Sequence, residues 1–331
     1  MTRLDSDAAV AQEGAADCDG PRLLTLEARE VPLGGVRGMH VSRALPQRDL
    51  PMVGAWCFLD RFGPQRTTMR VDPHPHIGLQ TVTWPISGEV RHRDSVGSDV
   101  IVRRGVLNLM TAGAGISHSE YSVGDADVDL DALQLWVALP EATRFGEASF
   151  ERHADLPVLD LPAASGSAQA TVVLGTLGEA SSPATAHTPI VGAELELTPD
   201  ADVLVPLETG WEHALLLIDG DATVNGAPGA ATDDTAALDA NSLLYLGTHR
   251  DAITLRSTTG ARVFLLGGEP FPDEIVMWWN FVGRSHDEIV AARQDWENAA
   301  ARFGQVVDHG PERIPAPPLP GVRLTRRRRR L

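Results

Sequence analysis

The sequence predicts an all-β protein built from two tandem copies of one β domain and closed by a single C-terminal α-helix. Three observations carry this. Short apolar or alternating runs recur along the chain with Gly, Pro or Asp between them, at the spacing of about 8–12 residues that marks antiparallel sandwiches and barrels. The pattern gives way to an Ala/Ser/Gly-rich stretch, "LPAASGSAQATVVLGTLGEASSPATAH", and then resumes; "TVTWPISGEV" and "ALLLIDGDAT" share an apolar strand, a turn ending in Gly and a departing strand. Near the end the apolar periodicity changes from that of strands to that of a helix.

Residues 1–22 are rich in Ala, Asp and Gly without periodicity and are expected to form a disordered tail. Residues 23–150 form the first β domain, with strands expected at "MHVSRAL", "LQTVTWPI", "EVRHRD", "DVIVRR", "VLNLMTA" and "ALQLWVAL". Residues 165–270 form the second, with strands at "ATVVLG", "AELELT", "DVLVPL", "HALLLIDGDATVNG", "NSLLYLG", "AITLRS" and "RVFLLGG". Residues 271–310 are a helical extension. Within it Ser285 and Glu288 have capping-box spacing, Ile289, Ala292, Trp296, Ala299 and Phe303 share one face, and Gly304 ends the helix. Trp278 and Trp279 are expected to be core residues. Residues 311–331 are Pro-rich and then basic, which predicts an extended, solvent-facing tail.

The formal charge of −17, from 28 Lys and Arg against 45 Asp and Glu, repels nucleic acid over most of the surface and suits a small-molecule site. The Arg326–Arg330 run is accordingly read as solvated rather than as a nucleic-acid contact. Only Cys18 and Cys57 are present, one in the expected tail and one in the apolar "GAWCFLD", which argues against a stabilising disulfide and for a cytoplasmic setting. The start lacks the apolar core of a secretory signal, and no run of apolar residues is long enough to span a membrane.

One stretch, "VDPHPHIGLQ", is unusual for a structural strand because two histidines alternate with two prolines. Along a strand, residues i and i+2 share a face, so His74 and His76 present two imidazoles together. A matching pair, His118 and Glu120, lies in "TAGAGISHSEY" behind a Gly-rich turn that bends the chain toward the first pair. Each pair alone also fits an ordinary structural pair. On facing strands, the two together supply three nitrogens and one carboxylate to a single point. Such a set, without thiolate, favours a divalent first-row ion such as Fe(II), Mn, Ni, Cu or Co over a structural Cys-zinc site. His92 is expected at the surface or behind the ligands; His40, His153, His187, His249, His286 and His309 are expected at the surface. His213 has no i+2 partner, so the second domain is expected to be metal-free.

The succession "HPHIGLQTVTW", "GEVRHRDSVGS", "NLMTAGAGISHSE" and "LQLWVALP" resembles the pirin family of bicupin proteins, and "EPFPDEIVMWWNFVGRSHDEI" resembles the C-terminal end of bacterial pirins. The resemblance implies two tandem cupin domains, each a jelly-roll β-barrel. It also implies that His74, His76, His118 and Glu120 bind one divalent metal, most simply Fe(II), with Mn, Ni, Cu, Co and Zn as alternatives. Where many pirins carry Arg-Gly-Phe-Glu after the second histidine, this chain has Ile77-Gly78-Leu79-Gln80, which predicts a less charged site wall. Gln80, near the position where the general cupin pattern has a ligand glutamate, is not expected to bind; Ile77 and Gln134 are expected to contact substrate.

The function the resemblance implies is a quercetin 2,3-dioxygenase-like opening of a flavonol-like ring with O2, with Glu120 as both ligand and catalytic proton acceptor. The alternative is a non-enzymatic, iron-containing regulator acting through a protein partner. A zinc isomerase is disfavoured because no Lys or Arg pair near the site suits a sugar phosphate.

Overall fold

In the computed structural model, which describes residues 20–33, 39–124, 126–226 and 235–330, four antiparallel sheets form two barrels. The first barrel sets a seven-stranded sheet against a four-stranded one. The larger runs Ser149–His153, Leu107–Thr111, Leu79–Ser87, Val128–Ala138, Trp56–Thr67, Met39–Leu45 and Arg29–Leu33 in spatial order. The smaller runs Arg70–His76, Ile116–Ser122, Val90–Asp94 and Asp99–Val102. In the second barrel an eight-stranded sheet, centred on Glu212–Gly220, Ala261–Gly268 and Ile190–Leu197, faces a five-stranded sheet containing Ala201–Pro206 and Ala252–Ser257.

The central strands of the seven-stranded sheet are covered on both faces, which is why "LQTVTWPI" is buried along its whole length instead of alternating. Val82, Trp84 and Ile86, with Leu133, Leu135 and Val137, turn outward into a core shared with Val173, Leu216, Tyr245, Phe264 and Leu266 of the second barrel. The intervening Thr83, Gln134 and Trp136 therefore turn into the first barrel. Hydrogen bonds pin the seam. Trp56 Nε1 donates to the carbonyls of Val191 (3.0 Å) and Gly267 (3.2 Å), and Trp84 Nε1 donates to Glu194 at 2.5 Å. The second barrel keeps its own core of Leu, Val and Ala side chains between its two sheets.

Most of the expected tail, with Cys18, lies outside the described residues, but Pro21–Glu27 is a strand and pairs with Ser242–Gly247 of the second barrel. The chain thus begins its described course on one barrel before crossing to build the other. Trp56–Thr67 is a single strand that runs through Gly63 and Pro64 and pairs, with bulges, with Val128–Ala138.

The helix spans His286–Glu297, shorter than its apolar pattern. Ser285 caps it by accepting from Glu288 N at 3.2 Å, and Glu288 Oε2 accepts in turn from Arg284 N at 2.9 Å. Ala299 adopts positive φ and is exposed, ending the helix before a short 3-10 turn at Ala301–Phe303. Ile289, Ala292, Trp296 and Phe303 nonetheless pack into one cluster with Ile77 and Phe281 at the end of the first barrel, each large side chain contributing roughly 1.5–3 kcal/mol. Trp278 and Trp279 flank this cluster, only partly buried.

The Pro- and Arg-rich segment after the helix is not a free tail. Ile314 N donates to Pro73 O at 2.8 Å, and the chain then crosses to the seam between the barrels. There Arg326 and Arg328 pair with Glu274, and Arg329 pairs with Glu212, which is 0 % exposed and also accepts from Gly54 N (2.8 Å) and Tyr245 Oη (2.9 Å). The run reads as solvated from composition alone because its carboxylate partners lie far off in sequence. Arg329→Ala would strand a buried carboxylate on its two remaining donors. We expect a loss of about 2–4 kcal/mol, measured by urea denaturation, whereas Arg330→Ala should change little.

Candidate metal centre

The four-stranded sheet brings the two sequence pairs together. Arg70–His76 and Ile116–Ser122 are antiparallel neighbours in which His118 lies opposite His74 and Ile116 opposite His76. Pro73 and Pro75 are tolerated because Arg70–His76 is an edge strand. Gly113, at φ +50, makes the bend ahead of the second pair, and a Cβ there would lie 2.1 Å from Gly146 O.

His74, His76 and His118 converge, each placing a ring nitrogen within 4.8 Å of the others, and all three are buried. His76 Nε2 and His118 Nε2 are 3.0 Å apart. Two nitrogens each about 2.1 Å from one ion and at right angles would have about this separation. His74 Nδ1 donates to Asp72 O at 3.0 Å, because a carbonyl can only accept, and this leaves its Nε2 lone pair free. Burial holds the His74 imidazolium down to about 4, and burial together with the neighbouring histidines holds His76 and His118 well below the ordinary value. The three rings are therefore neutral near pH 7, the form that binds metals.

Glu120 sits beside this trio in an overlapping group with His118 and His92. On the neighbouring strand Val90–Asp94 the register runs unbroken and sets Glu120 opposite His92; against Arg70–His76 it shifts between His118 and Glu120, which sets Glu120 opposite Val71. Burial raises its carboxyl, while His92 and the hydrogen bond from Thr83 act in the opposite sense. Thr83 Oγ1 lies 3.0 Å from both Glu120 Oε1 and Gln134 Oε1. Its single proton serves one of them at a time; with the Gln134 amide turned so that its NH2 faces Thr83, the chain Gln134 to Thr83 to Glu120 is satisfied throughout. Trp136 closes the floor, nearly perpendicular to His76 with ring centroids 5.2 Å apart, and stacks on Phe58 with centroids 4.0 Å apart.

Of the two places expected for His92, the structure gives the one behind the ligands: it is 3 % exposed, lies against Phe150, and places one nitrogen 3.1 Å from Asp94 Oδ2 and the other 3.3 Å from His118 Nδ1. The signal for it was a third i, i+2 pair, His-x-Asp, in "VRHRDS". Ile77, expected against substrate, is buried instead in the cluster beneath the C-terminal helix. Gly78 at φ +69 turns the chain there, its α-carbon so close to Val282 O that a Cβ would lie 2.1 Å away. Gln80 points toward the second barrel and donates to Thr111 Oγ1 (2.9 Å) and Thr185 O (3.1 Å). Neither Ile77 nor Gln80 therefore forms the wall of the histidine site. His309 is also half-buried, with Nε2 2.9 Å from Ser119 Oγ, and His286 Nδ1 accepts from Leu324 N at 3.0 Å.

Two β-barrels in tandem, one with a buried imidazole cluster, define a bicupin. The comparisons agree: residues 38–137 match the family described as Pirin and residues 192–304 the Pirin C-terminal cupin domain. A Pseudomonas aeruginosa protein named a putative quercetin 2,3-dioxygenase is 42% identical over 302 residues, covering 90% of this chain and 91% of that one. A pirin-like protein of Caulobacter vibrioides is 33% identical, covering 89% and 99%. The crystal structure of a quercetin 2,3-dioxygenase from Acinetobacter baumannii superposes with a TM-score of 0.82 at 40% identity, over 91% of this chain and 97% of that one. The chain belongs to the pirin family.

The second barrel contains no comparable ligand cluster among the described residues. Its His213 is 2 % exposed, and burial holds the imidazolium down to about 4 despite a backbone hydrogen bond at Trp211. The unfolded chain takes up this proton near pH 6.5, so the contribution to stability is full above that pH and is lost as pH falls toward 4. His213→Gln should remove about 2 kcal/mol of the stability difference between pH 7.5 and 5, measured by chemical denaturation.

Proposed function

We propose that the protein is a metal-dependent dioxygenase that opens the ring of a flavonol-like substrate with O2, as the quercetin 2,3-dioxygenase names of its relatives indicate. The observation that carries the reading is the trio His74, His76 and His118, three neutral, buried imidazoles with no thiolate among them. They would hold one divalent ion, with Glu120 as the fourth ligand; Fe(II) is the ion proposed, and Mn, Ni, Cu, Co and Zn share the preference for such donors. When bound, the ion supplies Lewis acidity and a meeting point for substrate oxygen and O2.

The residues themselves divide the remaining work. His74 and Glu120 are the more exposed members of the set, and Gln134 beside them is only partly buried, so substrate would enter from that side. Thr83 donates to Glu120 Oε1 and orients the carboxylate, which would take the proton from the flavonol 3-hydroxyl. Gln134 would orient the substrate through its amide. Phe58 and Trp136, stacked beneath, exclude water and suit a flat aromatic ligand. The free Cys57, buried and pushed up to about 12, fits a reducing cytoplasm.

Elemental analysis with quercetin loss and O2 uptake tests the reading. We expect the purified protein to carry stoichiometric metal and to consume both reactants together. His118→Ala should lose metal and at least about 100-fold in activity, more than loss of an outlying hydrogen-bond partner would cost. Glu120→Gln should retain more metal than activity. Metal without turnover on a flavonol panel would sink the dioxygenase and favour an iron-containing regulator acting through a protein partner. A metal-free protein that takes up no added ion would sink the site.

A further inference from the structure

The two overlapping groups share His118, and the hydrogen bonds around His92 decide between them. Asp94 is fully buried, and its Oδ1 accepts from the backbone N–H of Val96 (3.0 Å) and Ser98 (2.9 Å). Its Oδ2 lies 3.1 Å from His92 Nε2. A carboxylate so engaged is an acceptor, so in the neutral ring His92 Nε2 carries the proton and His92 Nδ1 is bare. That bare nitrogen is 3.3 Å from His118 Nδ1 and can only accept, so His118 Nδ1 donates. His118 Nε2 is then left with its lone pair directed at the cluster, 3.0 Å from His76 Nε2.

We propose that Asp94 and His92 form a hydrogen-bonded rail that fixes His118 in its Nδ1–H tautomer and aims its Nε2 lone pair at the cluster, making His92 a positioning residue and not a ligand. Both His92 nitrogens are used by the rail, which removes His92 from the ligands of the second group. The ring is held from the side by Phe150, 4.9 Å away and nearly parallel, so it cannot turn without breaking three contacts. His74 reaches the same tautomer by a simpler device, its bond to Asp72 O. The difference is charge: the rail ends on a carboxylate, which makes His118 the more strongly donating ring and the more basic nitrogen toward an ion. The consequence for metal binding rests on the metal reading given above, whereas the tautomer does not.

The tautomer is read directly from long-range 1H–15N spectra of the metal-free, 15N-histidine-labelled protein. We expect His118 to be protonated at Nδ1 and bare at Nε2. Asp94→Asn keeps an oxygen for Val96 and Ser98 but offers its NH2 to His92 Nε2. This should reverse both rings, place the His118 proton on Nε2 and weaken Co(II) binding about 10–100-fold, followed by the absorption of the bound ion. His92→Phe should weaken Co(II) binding similarly while leaving the His74 tautomer unchanged. A wild-type His118 protonated at Nε2 overturns the rail, and this holds even if neither variant folds. An Asp94→Asn protein whose His118 keeps its Nδ1 proton overturns the role of Asp94. Reversal of the tautomer with unchanged Co(II) affinity would uphold the rail and overturn His118 as a ligand.

Discussion

The structure depends on one sheet being buried on both sides. Leu79–Ser87 and Val128–Ala138 alternate between two interiors: Val82, Trp84, Leu133 and Leu135 face the core shared by the barrels, and Thr83, Gln134 and Trp136 face the histidines. A slip of one residue would exchange the sets, driving Thr83 and Gln134 into the apolar seam and Trp84 into the site. The shared core thus fixes the register of the site floor. This gives the second barrel a structural role: it supplies the apolar surface against which the first barrel's polar floor is registered.

The same burial sets the state of the site. Removing an imidazole from water disfavours its charged form, and three rings packed together disfavour it further. An uncompensated cluster of this kind is costly, and hydrogen bonds reduce the cost: His74 has Asp72, His118 has His92, and His76 has the backbone of Asn280, a contact too loose to satisfy its Nδ1 fully. An arrangement that is costly to fold and ready to bind is what a pre-organised ligand set looks like from the standpoint of stability.

The sequence disclosed what local spacing controls. The i, i+2 pairs fixed which side chains share a face, the Gly-rich turn marked the bend before His118, and Ser285 and Glu288 marked the helix start. What it concealed depended on distant partners. Pro21–Glu27 carries no sign that it pairs with Ser242–Gly247, and an arginine run carries no sign that Glu212 waits in a seam. His92 lay between these cases: its spacing to Asp94 was visible, but the burial that makes the pair matter comes from Phe150 and the neighbouring strands.

The difference at Ile77-Gly78-Leu79-Gln80 shows how adjacency in sequence misleads about adjacency in space. Immediately after His76 the chain turns at Gly78, sending Ile77 beneath the helix and Gln80 toward Thr185 of the other barrel. Replacing charged residues by neutral ones there alters the contacts of the first barrel with the helical extension and with the second barrel, and leaves the interior wall to residues elsewhere. The side chains that meet Glu120 and His76 come instead from the seven-stranded sheet: Thr83, hydrogen-bonded to Glu120 and beside Gln134, and Trp136, which lies edge-on to His76 and stacks on Phe58. All four lie on the sheet whose register the barrel interface enforces, so the floor of the histidine site and the interdomain packing are two faces of the same strands.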